Sequence, residues 1–378
     1  MRTTLLARYD IRLAGVVAAL LIVGLPMVFS ASHLLGFQES GQATYYLELQ
    51  IRWVLVGLAA MVVFSVIPYH FWRRLSPLAI AVNVVLLVYV LFRGAETFGA
   101  QRTLADGSLQ PSEIAKLVNA MYVAYWLSTL KWKLQDFWYS LVPLGLIISV
   151  VAGLVFLEPD LSTAVILVIS TLTMFWTAGA PKRQIIAAGA LLVVLMAIGL
   201  IAFPYRWVRF LRFTHPLDDP TGDGYQIYRM LLAMGNGGLF GHGFGSLPDT
   251  VGIVPASHTD AIFAVIGNDF GFIGCALVVF LFMALTQRGL RIAEQATDMF
   301  GSLLATGITM WLASQALMNI ASAASSIPFT GVPLPFISYG GSAMIANLAG
   351  VGVLLNIARS SSGMKSKPRL APSGRAAS

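Results

Sequence analysis

The chain has 378 residues, 57% of them hydrophobic and only 11% charged, with a formal net charge of +7. A soluble domain carries roughly a quarter charged residues, and no water-soluble core of this length hides so much apolar surface. The basic residues sit in short clusters between apolar runs, without an aromatic-interleaved basic face, which excludes a nucleic-acid-binding surface.

Apolar runs of about 20 residues, the length that crosses a bilayer, recur along the whole chain. Ten spans are predicted, near Ile11–Phe29, Ile51–Ile67, Leu78–Phe92, Glu113–Leu130, Tyr139–Phe156, Thr163–Trp176, Ile185–Phe203, Ala261–Thr286, Phe300–Ser322 and Ala343–Ile357. The fold class expected is therefore an all-α, polytopic integral membrane protein. The first run follows Arg2 and Arg8 as a signal peptide would, but it is long and lacks a clear small-x-small cleavage site. It reads as a retained first span.

Lysines and arginines in the loops favour the cytoplasmic side. One set of segments, including the C-terminal tail, carries 16 of them, and the opposite set carries 8. Both termini are therefore expected in the cytoplasm. Of the 17 carboxylates, only Asp10, Asp136, Glu294 and Asp298 fall on that side. Carboxylates contribute little to topology, so their crowding at the outer face points to chemistry or ion binding there.

The longest connection, about Pro204 to Thr259, lies between spans seven and eight and is expected outside; a loop of this length between packed spans is usually functional. Within it, Ile227, Met230, Leu231 and Met234 fall at i, i+3, i+4, i+7, an amphipathic helix expected at the membrane interface. The single cysteine, Cys275, lies inside an apolar run, where it reads as a small buried hydrophobe and permits no intramolecular disulfide. Residues 1–359 form the membrane domain, and the Ser/Lys/Arg/Pro-rich tail 360–378 is expected to be disordered.

Four segments break the apolar pattern at the outer ends of spans. In Gln110-Pro111-Ser112-Glu113, Ser112 is a candidate N-cap, and Glu113 and Lys116 share a helix face at i, i+3, where opposite charges pair. Glu158-Pro159-Asp160-Leu161-Ser162-Thr163 reads equally well as a capped turn or a site. Gly235 to Gly245 is glycine-rich, but no strand precedes it and no P-loop Lys-Ser/Thr follows, so a nucleotide fold is rejected; close approach of its backbone to a lipid headgroup stays open. Ser257-His258-Thr259-Asp260 leads into span eight, with Asp269 nine residues deeper. Thr330 to Ser342 holds two prolines and several glycines, which preclude a straight helix and predict a re-entrant loop lining a cavity. The residues alone yield an outer cavity edged by Glu113, Lys116, Asp160, His258, Asp260 and Asp269, and leave enzyme and transporter equally open.

In order, QPSEIAK (Gln110–Lys116), EPDLST (Glu158–Thr163), GYQIYR (Gly224–Arg229), GNGGLFGHGFG (Gly235–Gly245), HTDAIFAVIG (His258–Gly267) and TGVPLPFISYGGS (Thr330–Ser342) resemble the SEDS family of shape, elongation, division and sporulation proteins. The resemblance implies a peptidoglycan glycosyltransferase that polymerises lipid II into β-1,4-linked strands at the outer face of the bacterial cytoplasmic membrane. It implies as partners lipid II and the lipid-linked glycan chain, a class B penicillin-binding protein as transpeptidase, and other divisome or elongasome membrane proteins. It also assigns roles: Asp260, Glu113 and Lys116 catalytic, and Arg102, Arg212, His258, Asp160, Ser338 and Tyr339 substrate-binding. No cofactor is assigned; a divalent cation (Mg or Mn) is left open. The rival reading is a lipid II flippase that forms no bond, which would need polar groups along a route through the bilayer; Asp269 is the main candidate for one.

The chain departs from the family pattern at Thr103 after Arg102, Ser162-Thr163, Ala261 after the aspartate, and Asn268-Asp269. None removes a catalytic group. The compact Gly245–Pro255 stretch leans toward the division branch.

Overall fold

A computed structural model describes residues 10–97, 100–104, 110–202, 213, 224–247, 252 and 254–365. A helix lies at each of the ten expected spans: α1 (Ile11–Ser40), α2 (Tyr45–Val66), α3 (Tyr69–Arg93), α4 (Pro111–Leu130), α5 (Phe137–Leu157), α6 (Leu161–Thr177) and α7 (Lys182–Ala202), then α9 (Ile262–Gln295), α10 (Met299–Ala323) and α11 (Gly341–Lys365). The short α8 (Tyr225–Asn236) precedes α9, and a 3-10 turn, Lys131–Gln135, follows α4. Seven of these, α1, α2, α3, α5, α9, α10 and α11, are long and apolar enough to cross a membrane, which makes this a multi-pass membrane protein.

Local chemistry sets the helix ends. Asp10 caps α1 by accepting Leu13 N–H at 3.0 Å, and Gly41 closes it in the left-handed conformation (φ 74°). Asp136 caps α5, Asp160 caps α6 and Asp298 caps α10 in the same way. α4 begins on Pro111, whose missing N–H costs nothing at a first helical position. Ser112 is therefore inside the helix rather than its cap, and its hydroxyl instead accepts Gln110 Nε2 at 2.9 Å.

α10 and α11 form the centre, with 72% and 83% of their apolar stretches buried in protein, against 22% for α2 and α3. α11 lies along α2, and α10 lies against α9, α6 and α4. A smaller apolar cluster (Leu87, Ala115, Val151, Val155, Leu167) fills the space among α3, α4, α5 and α6.

The structure corrects one expectation and refines three others. The amphipathic α8 packs on α9 and buries Ile227, Met230 and Ala233, so its apolar stripe faces protein and not the membrane interface. A two-stranded antiparallel hairpin, β1 (Ala95–Thr97) and β2 (Ala100–Thr103), interrupts the all-α pattern after α3, too short for periodicity to register. α1 and α9 run well beyond their apolar cores, to Ser40 and Gln295, because hydropathy marks only the part in lipid. α11 continues to Lys365, six residues into the expected disordered tail; residues 366–378 lie outside the described residues.

The glycine-rich segment has a structural cause. α9 is broken at Gly271 (φ 62°, ψ −158°), and the loop clasps that break by backbone hydrogen bonds: His242 N to Asn268 O at 3.0 Å, Gly243 N to Asp269 O at 3.0 Å, and Phe272 N to Gly238 O at 2.9 Å. A Cβ on Gly241 would lie 2.2 Å from Asp269 O, and one on Gly271 would lie 2.6 Å from Leu239 O. Only glycine permits this approach.

Candidate functional site

The first two turns of α4 carry Glu113 and Lys116 into the protein interior. Lys116 Nζ lies 2.6 Å from Glu113 Oε2, with both side chains almost wholly buried. The same ammonium donates to Gln315 Oε1 at 2.7 Å and sits 5.6 Å from the centre of the Trp311 ring. A buried ammonium is tolerable only with such compensation. The carboxylate supplies the countercharge, and the amide and the indole face supply the remaining contacts.

Gln315 extends the network. Its Oε1 also accepts Trp311 Nε1 at 2.9 Å, while its Nε2 donates to Pro333 O at 2.9 Å. One turn on, Asn319 Nδ2 donates to both Val332 O (2.7 Å) and Asp260 O (2.8 Å). Two amide side chains at i, i+4 on α10 thus hold the 330s loop and the turn bearing Asp260 against the Glu113–Lys116 pair. Neither amide was singled out from sequence. The signal was present, since Gln315 and Asn319 are polar residues at helical spacing inside an apolar span.

The 330s loop is irregular yet buried, with Val332, Leu334, Phe336, Ile337 and Ser338 all enclosed. Irregular backbone at this depth is tolerated because protein satisfies it. Ser338 Oγ donates to Thr259 O at 2.6 Å and accepts Leu334 N–H at 2.7 Å; Tyr339 N donates to His258 O at 2.8 Å. Gln50 Nε2 donates to Ser338 O at 3.1 Å, and Ser162 Oγ donates to Thr330 O at 2.6 Å. Phe336 holds a left-handed φ of 66°, a strained conformation for a residue with a Cβ, of the kind that collects at functional sites.

Asp260 stands where the two segments meet, its Oδ2 3.4 Å from the position a Cβ on Gly331 would take. The cap position of α9 is Ala261, with no side-chain cap hydrogen bond, so Asp260 lies one residue before the cap rather than on it. His258 is packed between Tyr46 (ring centroids 4.7 Å) and Tyr339 (5.5 Å), and its buried Nδ1 has no hydrogen-bond partner among the described residues. Burial holds its pKa down at about 4, so the imidazole is neutral at physiological pH.

The remaining expected residues separate. Asp160 accepts Thr163 N–H at 3.0 Å as the cap of α6 and receives Gln110 Nε2 at 3.4 Å. Arg102 lies on β2, with its side chain outside the described atoms, and Arg212 lies outside the described residues. Asp269 is not at the site. Its carboxylate accepts Ser30 Oγ, Gly245 N–H (3.2 Å) and Asn268 Nδ2 (3.1 Å), locking the glycine-rich clasp onto α1 and α9. Among the described residues no three His, Cys, Asp or Glu side chains converge as ligands for a divalent cation. Glu113 is committed to Lys116, and Asp160 to the start of α6.

Comparison with known proteins matches residues 11–363 to the family described as "Cell cycle protein" (FtsW, RodA, SpoVE). The chain is 36% identical over 367 residues to the probable peptidoglycan glycosyltransferase FtsW of Trichlorobacter lovleyi, covering 96% of each chain. It is 36% identical over 356 residues to stage V sporulation protein E of Bacillus subtilis, covering 93% of this chain and 97% of that one. Among solved structures, it matches a chain from "Structural coordination of polymerization and crosslinking by a peptidoglycan synthase complex" with a TM-score of 0.78 at 26% identity, covering 93% of this chain and 98% of that one. The rod shape determining protein RodA of Thermus thermophilus matches with a TM-score of 0.69 at 26% identity, covering 93% and 97%. Fold, motif order and near full-length similarity agree, and the chain belongs to the FtsW/RodA/SpoVE family.

Proposed function

We infer that this protein is a peptidoglycan glycosyltransferase that polymerises lipid II into β-1,4-linked glycan strands at the outer face of the cytoplasmic membrane. The observation that carries the reading is the single bracket on α10. Through Gln315 and Asn319 it joins a buried carboxylate–ammonium pair, an enclosed irregular loop and the turn of Asp260. Pre-organisation of this kind is what a transfer reaction requires.

In the mechanism proposed, Asp260 is the general base. The acceptor's C4 hydroxyl gives its proton to the Asp260 carboxylate as the oxygen attacks the donor's anomeric carbon. The bond from that carbon to the polyprenyl diphosphate breaks, the electron pair leaves with the diphosphate, and the configuration inverts from α to β. A positioned base contributes about 10²- to 10⁴-fold in rate. The leaving diphosphate gains negative charge and needs a cation. Lys116, held by Glu113 and Gln315, and the arginines at 102 and 212 are assigned that task.

The flippase alternative loses its main support, because the intramembrane Asp269 is saturated with hydrogen bonds that hold the glycine-rich clasp. The relatives named FtsW support the division branch. The likeness to a chain of a peptidoglycan synthase complex supports a class B penicillin-binding protein as partner. Purified protein incubated with lipid II and that partner tests the whole reading. Wild type should form glycan strands, and Asp260→Asn, folded and partner-bound, should be slower by at least 100-fold. Normal polymerisation by Asp260→Asn removes the base assignment.

A further inference from the structure

The end of the bundle opposite Asp260 holds a second polar feature that polymerisation does not use. Ser257 Oγ donates to Ala31 O at 2.8 Å, which places the C-terminal half of α1 beside the Asp260 turn. The N-terminus of α1 therefore lies at the far end, where α9 and α11 both finish. There a cavity of about 310 Å³ opens, lined among others by Asp10, Arg12, Arg288, Gln295 and Ser361. It is far larger than the roughly 10–15 Å³ that a single water needs.

We propose that this cavity binds the phosphate group of an anionic membrane phospholipid between Arg12 and Arg288. Neither guanidinium has an ion-pair or hydrogen-bond partner among the described residues, although both border one cavity. The one carboxylate in the lining, Asp10, caps α1 by accepting Leu13 N–H at 3.0 Å, so the lining sets two guanidinium charges against one carboxylate. Glu294, beside Gln295 on α9, is exposed and makes no ion pair among the described residues. The lining thus keeps an excess of positive charge that an external anion would balance.

Phosphate suits the arrangement. Guanidinium forks bind phosphate oxygens bidentately, and the Gln295 amide and Ser361 hydroxyl add neutral donors. These residues sit at the ends of the apolar spans α1, α9 and α11, and basic pockets between spans on the cytoplasmic side are suited to such lipids. An acyl-anchored phosphate arrives there already concentrated in two dimensions, an advantage that a soluble phosphate lacks.

The test uses the full chain in neutral detergent, with thermal unfolding followed as lipid is added. Phosphatidylglycerol should raise the transition of wild type by mass action, whereas phosphatidylcholine and inorganic phosphate at equal concentration should not. Arg12→Gln and Arg288→Gln should each weaken the phosphatidylglycerol response on the order of tenfold, and Arg291→Gln, outside the lining, should leave it intact. Should a glutamine variant fail to fold, native mass spectrometry of Arg12→Lys and Arg288→Lys should still show fewer retained phosphatidylglycerol molecules than wild type. An unchanged response in the arginine variants overturns the assignment, and so does an inorganic-phosphate shift as large as the lipid's. Polymerase activity does not enter these readouts, so the lipid site and the catalytic reading stand or fall separately.

Discussion

Replacing Glu113 by Gln and Lys116 by Met, singly and together, probes the buried pair most directly. Lys116→Met leaves the nearly inaccessible Glu113 carboxylate without its cation at 2.6 Å. Glu113→Gln leaves an ammonium whose remaining partners, Gln315 Oε1 and the Trp311 ring, are both neutral. Removing one member of a buried pair costs about 3–5 kcal/mol, whereas replacing both by neutral groups of similar size is often close to neutral. Glu113→Gln should fall at the lower end, since an amide oxygen can still accept from the ammonium. In the double variant Gln315 Oε1 keeps Trp311 Nε1 at 2.9 Å, so little is left unsatisfied. The double variant should therefore be more stable than Lys116→Met alone, with a coupling energy of about 3 kcal/mol. Equilibrium unfolding in mixed micelles measures each corner of the cycle. Single-variant costs that simply add in the double, within about 0.5 kcal/mol, would show that the two side chains are not coupled. Polymerisation of lipid II should be abolished in both single variants and in the double variant. A stable double variant that polymerises at the wild-type rate would reduce the pair to a structural element.

Three further outcomes are expected. His258 has its pKa depressed from 6.5 to about 4, so the unfolded chain binds the proton more readily and stability should rise with pH between those values; His258→Gln should flatten that slope in pH-dependent unfolding. A Cβ on Gly24 of α1 would sit 2.6 Å from Phe336 O and 2.8 Å from Ile337 Cα, so Gly24→Ala should cost about 1–3 kcal/mol and lower polymerisation together with stability; an unchanged transition temperature would count against that packing. In a Cys275→Ala background, a membrane-impermeant maleimide added from outside should label Asp249→Cys and spare Lys182→Cys, and the reverse would invert the orientation.

Much of this protein was legible from one-dimensional pattern. Hydropathy placed a helix at every expected span, because lipid demands that each crossing segment satisfy its own backbone. Spacing paired Glu113 with Lys116, because residues three apart on a helix face each other whatever surrounds them. Motif order gave the family. What the chain could not reveal was anything that depends on which helices become neighbours. The α8 stripe reads the same whether it faces lipid or protein, and only its packing on α9 decided for protein. The glycines from 237 to 245 read as a possible headgroup cradle until the break at Gly271 supplied a backbone for them to clasp. Asp269 reads as an intramembrane charge on a route, and becomes a locked structural group once Ser30 of α1 arrives beside it. Gln315 and Asn319 carry no message alone, since an amide in a span takes its meaning from the carbonyls it reaches. Those carbonyls, of Pro333, Val332 and Asp260, lie 18, 13 and 59 residues away along the chain and are brought within hydrogen-bond reach only by the tertiary fold.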